Sequence, residues 1–480
     1  MTVEATMTIG GKPVTADGWI DVLNPAHIDT VVGQYPRGTA EHANMAVEAA
    51  SDALPEWRAM PAAERAALLL QAGALLMDQH DDWVHLLTSE NGKILQESAI
   101  DFQMGGAALL GPGSHPEWMD DRILQDEKRR LIVRRKPVGV SVGIVPWNFP
   151  LIVACLKIGP ALLGGSTMVI KAPEFGPLAT LESLGEVASL LPPGVLNIVS
   201  GFGPEVGQAL VKHPKVRAIS FTGSTETGKM VMADAAGHLA RVAVELGGND
   251  AAVLLDDVAL TDQAIERLVT GAYMHTGQIC VDIKRIYIHE SRYQELVDKL
   301  SDAVNQIVVG DGTRPEVTMG PINNSRQYEK AKAILAETKQ NFDCVELGSY
   351  AEGTNVDNGY FMLPYLVLDP PDSSTVVSIE QMSPIIPIQK FSSDDEVIGR
   401  VNDSEFGLGS SVWSADLDRA FAVGDRLEAG LTWINSHSIF SLDPDAPVCG
   451  VKQSGGTGYQ MTAESVDTYT YMHSVTDNHL

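Results

Sequence analysis

The feature that most restricts the fold is an alternation, between residues 138 and 255, of short β-rich runs with helical runs. The β-rich runs lie at 138–145, 167–171, 195–199, 218–221 and 251–255, with helical stretches such as 180–191 and 204–212 between them. Parallel neighbours need a crossover of this kind, so the pattern predicts a parallel sheet covered by helices on both faces. A second alternating series runs from Ala264 to about Asn435, with helices expected near 291–307, 325–339 and 416–428. Ahead of both, 41–105 reads as helices. Pro61 opens one of them, and Leu68, Leu69, Ala72, Leu75 and Leu76 recur at helical spacing. The first 35 residues read as short strands, and 120–136, charge-rich and flanked by turns, as a hairpin leaving the domain body.

Composition narrows the partners. Of 480 residues, 62 are acidic and 34 basic, a net charge of −28 that repels phosphate backbones and anionic headgroups. No nucleic-acid or membrane partner is expected. The most membrane-like stretch, 151–170, carries Lys157, Pro160 and Gly164-Gly165, which suit a buried helix and turn better than lipid. The first eleven residues hold neither a basic nor an apolar signal region, and the four cysteines (155, 280, 344, 449) lie far apart without metal spacing. A reducing cytoplasm, no disulfide framework and no metal are the expectations. A free thiol is more often a packing residue than a reactive one.

Several strand ends carry chemistry. Gly201-Phe202-Gly203 and Gly207 follow one strand with GxGxxxG spacing, as suited to tight helix packing as to phosphate. Between the next strand and helix stands Phe221-Thr222-Gly223-Ser224-Thr225-Glu226-Thr227-Gly228. Free N–H groups and Ser224 at a helix start suit a pyrophosphate, or equally a plain serine cap. Lys171-Ala172-Pro173-Glu174 ends another strand, and ligands of such sheets bind outside the carboxyl ends. Cys280 follows Gly277-Gln278-Ile279, Glu245 precedes Leu246-Gly247-Gly248, and Asn148 stands between two prolines in Pro146-Trp147-Asn148-Phe149-Pro150.

These segments, in this order and spacing, resemble the aldehyde dehydrogenase superfamily over nearly the whole chain. Glu380 with Pro384, Asn402 through Phe406-Gly407-Leu408, Ile434-Asn435-Ser436 and Lys452-Gln453-Ser454-Gly455 continue the resemblance. It implies that Cys280 attacks an aldehyde to form a thiohemiacetal, which hydride transfer converts to a thioester. Asn148 and the Cys280 N–H would hold the oxyanion, and Glu245 would activate water to release the acid. Pro146, Trp147, Lys171, Glu174, Gly203, Gly223, Ser224, Gly228, Leu246 and Glu380 are the implied cofactor contacts. Glu174 at a ribose 2′-OH favours NAD, with NADP possible. Lys157 reads either as part of this network or as a surface lysine.

The chain also departs from the pattern. Cys449 replaces a usual glycine, one residue is inserted after Gly455, Met382 stands where an aromatic is common, and Asp282 lies two residues beyond the nucleophile. The implied substrate pocket comprises Phe149, Val153, Leu156, Tyr273, Ile279 and Phe440, with parts of 101–119 and 436–446. Those two segments contain no lysine or arginine, so a neutral apolar or aromatic aldehyde is expected over an acid semialdehyde. A relative passing its thioester to coenzyme A would lack Glu245, and a non-enzymatic descendant would need none of the three catalytic groups. The implied architecture is α/β: a Rossmann-like cofactor domain (1–118 and 139–247), an α/β catalytic domain (248–450), and a small β oligomerisation arm and tail (119–138 and 451–480). A homodimer or homotetramer follows from the resemblance.

Overall fold

The computed structural model describes residues 3–78, 80–127 and 129–478; Lys128 of the expected hairpin and 479–480 of the expected tail lie outside them. Two seven-stranded sheets organise the chain. The first runs in the order Arg241–Glu245, Val216–Thr222, Val140–Ile144, Thr167–Lys171, Leu196–Val199, Met7–Ile9, Lys12–Val14. Its first five strands are parallel, and the two N-terminal strands extend it antiparallel. Thr167–Lys171 and Leu196–Val199 are buried throughout, as expected of strands with helices on both faces. The helix Pro150–Leu163 covers part of that sheet, with Leu151, Ile158 and Leu162 wholly buried, each side chain contributing roughly 1.5–3 kcal/mol of transfer energy. The apolar stretch is therefore a core helix, and no helix among the described residues is long and apolar enough to cross a membrane.

The second sheet runs Cys344–Glu346, Tyr365–Leu368, Ile385–Phe391, Ile283–His289, Asp250–Leu254, Gly409–Trp413, Leu431–Ile434, parallel except at its first strand. Two strand expectations need correction. The run at 251–255 pairs with Ile283–His289 and Gly409–Trp413, so it belongs to this sheet and not to the first series. The first sheet instead ends on Arg241–Glu245, a strand not anticipated because its residues lead straight into the Glu245-Leu246-Gly247 turn. The expected hairpin forms from Arg122–Gln125 and Arg129–Pro137 and gains a third strand, Thr470–Asn478, from the tail.

In the first sheet the chain order reverses beside Val140–Ile144: Thr167–Lys171 continues to one side and Val216–Thr222 pairs on the other. A crevice opens outside the carboxyl ends of strands at such a reversal. The site lies there.

Candidate active site

A cavity of about 240 Å³ occupies that crevice. Pro146, Trp147 and Asn148 enter it from the end of one strand, Thr222, Gly223 and Ser224 from the next, and Glu245, Leu246 and Gly247 from the third. The second sheet's side contributes Ile279, Cys280, Val281, Glu380, Met382 and Leu408. The three catalytic candidates thus meet in one space.

Cys280 is carried by an unusual turn. His275 (φ 48°), Thr276 (φ 61°) and Gly277 (φ 71°) are consecutively left-handed, a conformation that costs L-residues energy and is rare for β-branched ones. At Gly277 even an alanine Cβ would meet the Ser383 carbonyl at 2.7 Å. Buried polar groups hold the segment. Thr276 Oγ1 donates to the Gly320 carbonyl (2.9 Å), and Lys284 Nζ donates to the carbonyls of Gly277 (3.0 Å) and Ile279 (2.7 Å). Asp282 Oδ2 accepts from the Ile279 N–H (3.1 Å), which gives this side chain a place in the turn beside Cys280. Burial pushes Asp282 up to about 8 against the pull of Lys284.

Asn148 Nδ2 donates to the Gln278 carbonyl at 2.8 Å, so one amide hydrogen fixes its orientation while the amide retains a second donor hydrogen. Burial pushes the Cys280 thiol up to about 12, and the carboxylates of Glu380, Asp250 and Glu245 push the same way. Glu245 ends its strand opposite Thr222, and its Oε1 is buried without a hydrogen-bond partner. Burial raises it to about 8, and nearby Lys157 pulls it down. Lys157 is not a surface residue: it is buried and donates to Ser220 Oγ (3.1 Å) and Thr222 Oγ1 (2.7 Å). Ser454 and Gly455 flank the end of the Glu245 strand, with the Leu246 N–H donating to the Ser454 carbonyl at 2.9 Å. Gly248 lets the Cys280 carbonyl approach, since a Cβ there would lie 2.7 Å from it.

The cofactor candidates fall in two groups. Gly223, Ser224, Leu246, Glu380, Pro146 and Trp147 line the cavity. Ser224 caps the helix Thr225–Ala235, its Oγ accepting from the Thr227 N–H at 3.3 Å. Lys171, Glu174 and Gly203 gather at the neighbouring strand ends. Lys171 Nζ is 3.6 Å from Glu174 Oε1, and that oxygen accepts from the Gly203 N–H at 2.6 Å. Gly228 packs under Leu246, whose side chain a Cβ would meet at 2.5 Å. Glu380 Oε1 accepts from the Gly248 N–H at 3.0 Å.

Of the substrate candidates, Phe149, Val153, Leu156 and Ile279 line the cavity, but Tyr273 and Phe440 do not. The left-handed turn after Tyr273 reverses the chain, so this ring enters the core of the second sheet and donates to the Tyr365 carbonyl (3.3 Å). Phe440 is 57% exposed, and its neighbours Ile439 and Leu442 line the cavity in its place. Sequence reasoning missed Gln327 and Lys330, on the helix Ser325–Asn341, and Gln460 and Met461 after the inserted residue. An i, i+3 polar pair on a helix whose remaining unburied positions are also mostly polar carries no signal of a site. Met382 also lines the cavity, with φ 51°. Cys449 is accommodated by turning its thiol back to the Gly450 carbonyl, 3.3 Å away. Among the described residues no group of three or more potential ligands could hold a metal ion.

The aldehyde dehydrogenase family model matches residues 14–475. An NADP(+) succinate-semialdehyde dehydrogenase of Escherichia coli (strain K12) is 36% identical, over 91% of this chain and 90% of its own. A phenylacetaldehyde dehydrogenase of Pseudomonas fluorescens is also 36% identical, over 98% and 95%. The NAD+ complex of an aldehyde dehydrogenase from Bacillus cereus superposes with a TM-score of 0.93 at 31% identity, covering 100% of this chain and 97% of the other. A family match of this extent, with cysteine, asparagine and glutamate converging at a strand-end crevice, has one meaning: the chain belongs to the aldehyde dehydrogenase family, enzymes that oxidise aldehydes to acids.

Proposed function

We propose that this chain is a hydrolytic, NAD-dependent aldehyde dehydrogenase acting on a neutral apolar or aromatic aldehyde. The observation that carries the substrate class is the wall of the cavity beyond Cys280. Phe149, Ile152, Val153, Leu156, Ile439 and Leu442 contribute apolar surface, and the cavity's one lysine or arginine among the described residues is Lys330, on the Glu380 side. A distal carboxylate would be desolvated there without a cation. The two relatives above act on an acid semialdehyde and on an aromatic aldehyde, and the apolar wall favours the second kind.

The residues present fit a nicotinamide dinucleotide. The helix start at Ser224 opens on the crevice, and Gly203 leaves room against Glu174, where a Cβ would stand 3.3 Å from the carboxylate oxygen. Lys171 and Glu174 would hold the adenosine ribose, Ser224 a phosphate, and Glu380 the second ribose. The Glu174 carboxylate disfavours a 2′-phosphate, so NAD is preferred and NADP is the weaker alternative. Held by these residues, the nicotinamide would supply the hydride acceptor that a thiohemiacetal on Cys280 needs to become a thioester.

The chain's own groups do the rest. Cys280 Sγ, as thiolate, adds to the carbonyl carbon, and Asn148 and the Cys280 N–H donate to the oxygen that becomes negative. Glu245 later takes a proton from water; the hydroxide oxygen bonds to the thioester carbon, the C–S bond breaks, and the acid leaves. An exposed apolar arm is consistent with a homodimer or homotetramer, and four unpaired thiols with a reducing cytoplasm. Steady-state kinetics on benzaldehyde, hexanal and succinate semialdehyde test the substrate class. The first two should exceed the third in kcat/KM; the reverse order would sink the proposal.

A further inference from the structure

The helix Leu95–Ser114 carries two buried carboxylates one turn apart, Glu97 and Asp101, that take no part in the reaction described above. Carboxylates are rarely this buried without a specific duty. Glu97 Oε1 accepts from the backbone N–H of His275 at 2.6 Å, at the first residue of the left-handed turn that carries Cys280; Oε2 accepts from the Ile94 N–H at 3.1 Å. Asp101 Oδ1 accepts from the Ile152 N–H at 2.9 Å, in the first turn of the helix that follows Asn148. Its other oxygen pairs with Lys93 Nζ at 2.9 Å, and that ammonium lies 3.6 Å from the centroid of the Phe149 ring. Lys93, Glu97, Asp101 and His275 are all at most 5% exposed. One face of one helix therefore grips both the segment bearing the nucleophile and the segment bearing the oxyanion donor.

We propose that Glu97 is a positioning residue that sets the Cys280 turn in register with Asn148, whose own segment is fixed by Asp101 from the same helix and by Lys93 from the turn just before it. The inference rests on the assignment of Cys280 and Asn148 made above. A turn with two non-glycine residues at positive φ persists only where its surroundings over-determine it. Glu97 supplies that restraint from an element outside the second sheet. Without it the His275 N–H is buried and unpaired, and the turn relaxes toward less strained backbone. Cys280 would then move relative to Asn148, and a displacement of about 1 Å costs on the order of a hundredfold in rate.

The test compares two variants of nearly equal volume in the full-length enzyme. Glu97→Met removes the acceptor, whereas Glu97→Gln keeps a side-chain oxygen for the His275 N–H. We expect Glu97→Met to lower kcat by about a hundredfold. KM for the aldehyde and the Kd for NAD should change little, the melting temperature should fall in Glu97→Met, and Glu97→Gln should recover most of kcat. A folded Glu97→Met enzyme with kcat near wild type would overturn the proposal. So would a Gln variant as impaired as the Met variant, or losses shared equally by kcat and the Kd for NAD. Should Glu97→Met fail to fold, the Gln variant decides: kcat near wild type supports the proposal, and a hundredfold loss refutes it. Cys280→Ser is measured alongside, and retained dehydrogenase activity in that variant would instead refute the assignment of the nucleophile.

Discussion

Cys280 and Glu245 share one buried cavity, yet the proposed reaction needs both in ionised form, which burial opposes. The protein compensates unequally. Glu245 has Lys157 nearby and is held at about 8, whereas the carboxylates around Cys280 add to its burial and keep it near 12. Bringing positive charge toward the thiol would lower its pKa, and added negative charge would raise it further. With burial raising it to about 8, the proposed base gains its ionised form as pH rises and loses it as pH falls. Its sign is thus fixed: thioester hydrolysis should accelerate as pH rises through about 8. Single-turnover release of acid, measured from pH 6 to 9.5, should show this limb in wild type. Glu245→Gln should be slow and flat throughout. An unchanged limb in that variant would assign it to another group.

The turn at 275–277 shows how an element can place a residue against local preference. Gly277 is left-handed and pressed against the Ser383 carbonyl, so Gly277→Ala meets both strain and collision. It should destabilise by more than about 1 kcal/mol and lower kcat, as read by thermal melting and by turnover. Gly399→Ala is the control: this glycine lies within the helix Asp394–Asn402 with open space where the Cβ would stand. That change should be neutral or stabilise by about 0.5–1 kcal/mol. An equal effect of the two changes would contradict the account.

The same element marks the boundary of what is legible in sequence. Cys280, Asn148 and Glu245 stood out as candidates because the chemistry tolerates few residue types and the spacing is distinctive, and the structure brings the three to one cavity. The β-branched runs at 167–171 and 195–199 became strands because both faces are buried. Tyr273 was misplaced because proximity in sequence to the nucleophile does not reveal a left-handed reversal. Asp250–Leu254 looked like another member of the first series because sheet membership depends on partners about 30 and 160 residues away. The roles of Lys93, Glu97 and Asp101 were not legible, since the spacing of charges does not show what packs over them.

At the scale of the molecule, the −28 charge and the three-stranded arm pull in different directions. The charge opposes association between copies. The arm exposes Ile123 (54%), Met472 (55%) and Val475 (48%), more apolar surface than an isolated sheet this small readily leaves in water. Sedimentation equilibrium should therefore give at least twice the chain mass, and Ile123→Glu with Val475→Glu should shift it toward monomer. A wild-type monomer at micromolar concentration would remove the arm's proposed role.

The most direct measurement of the whole account uses Glu245→Gln, NAD and a small excess of benzaldehyde, followed by intact-mass and peptide mass spectrometry. The account predicts one benzoyl group per chain, localised to the peptide containing Cys280, with one NADH formed per chain and little free benzoate. An unmodified Cys280 after NADH has formed, or acylation at Cys155, Cys344 or Cys449, would contradict it.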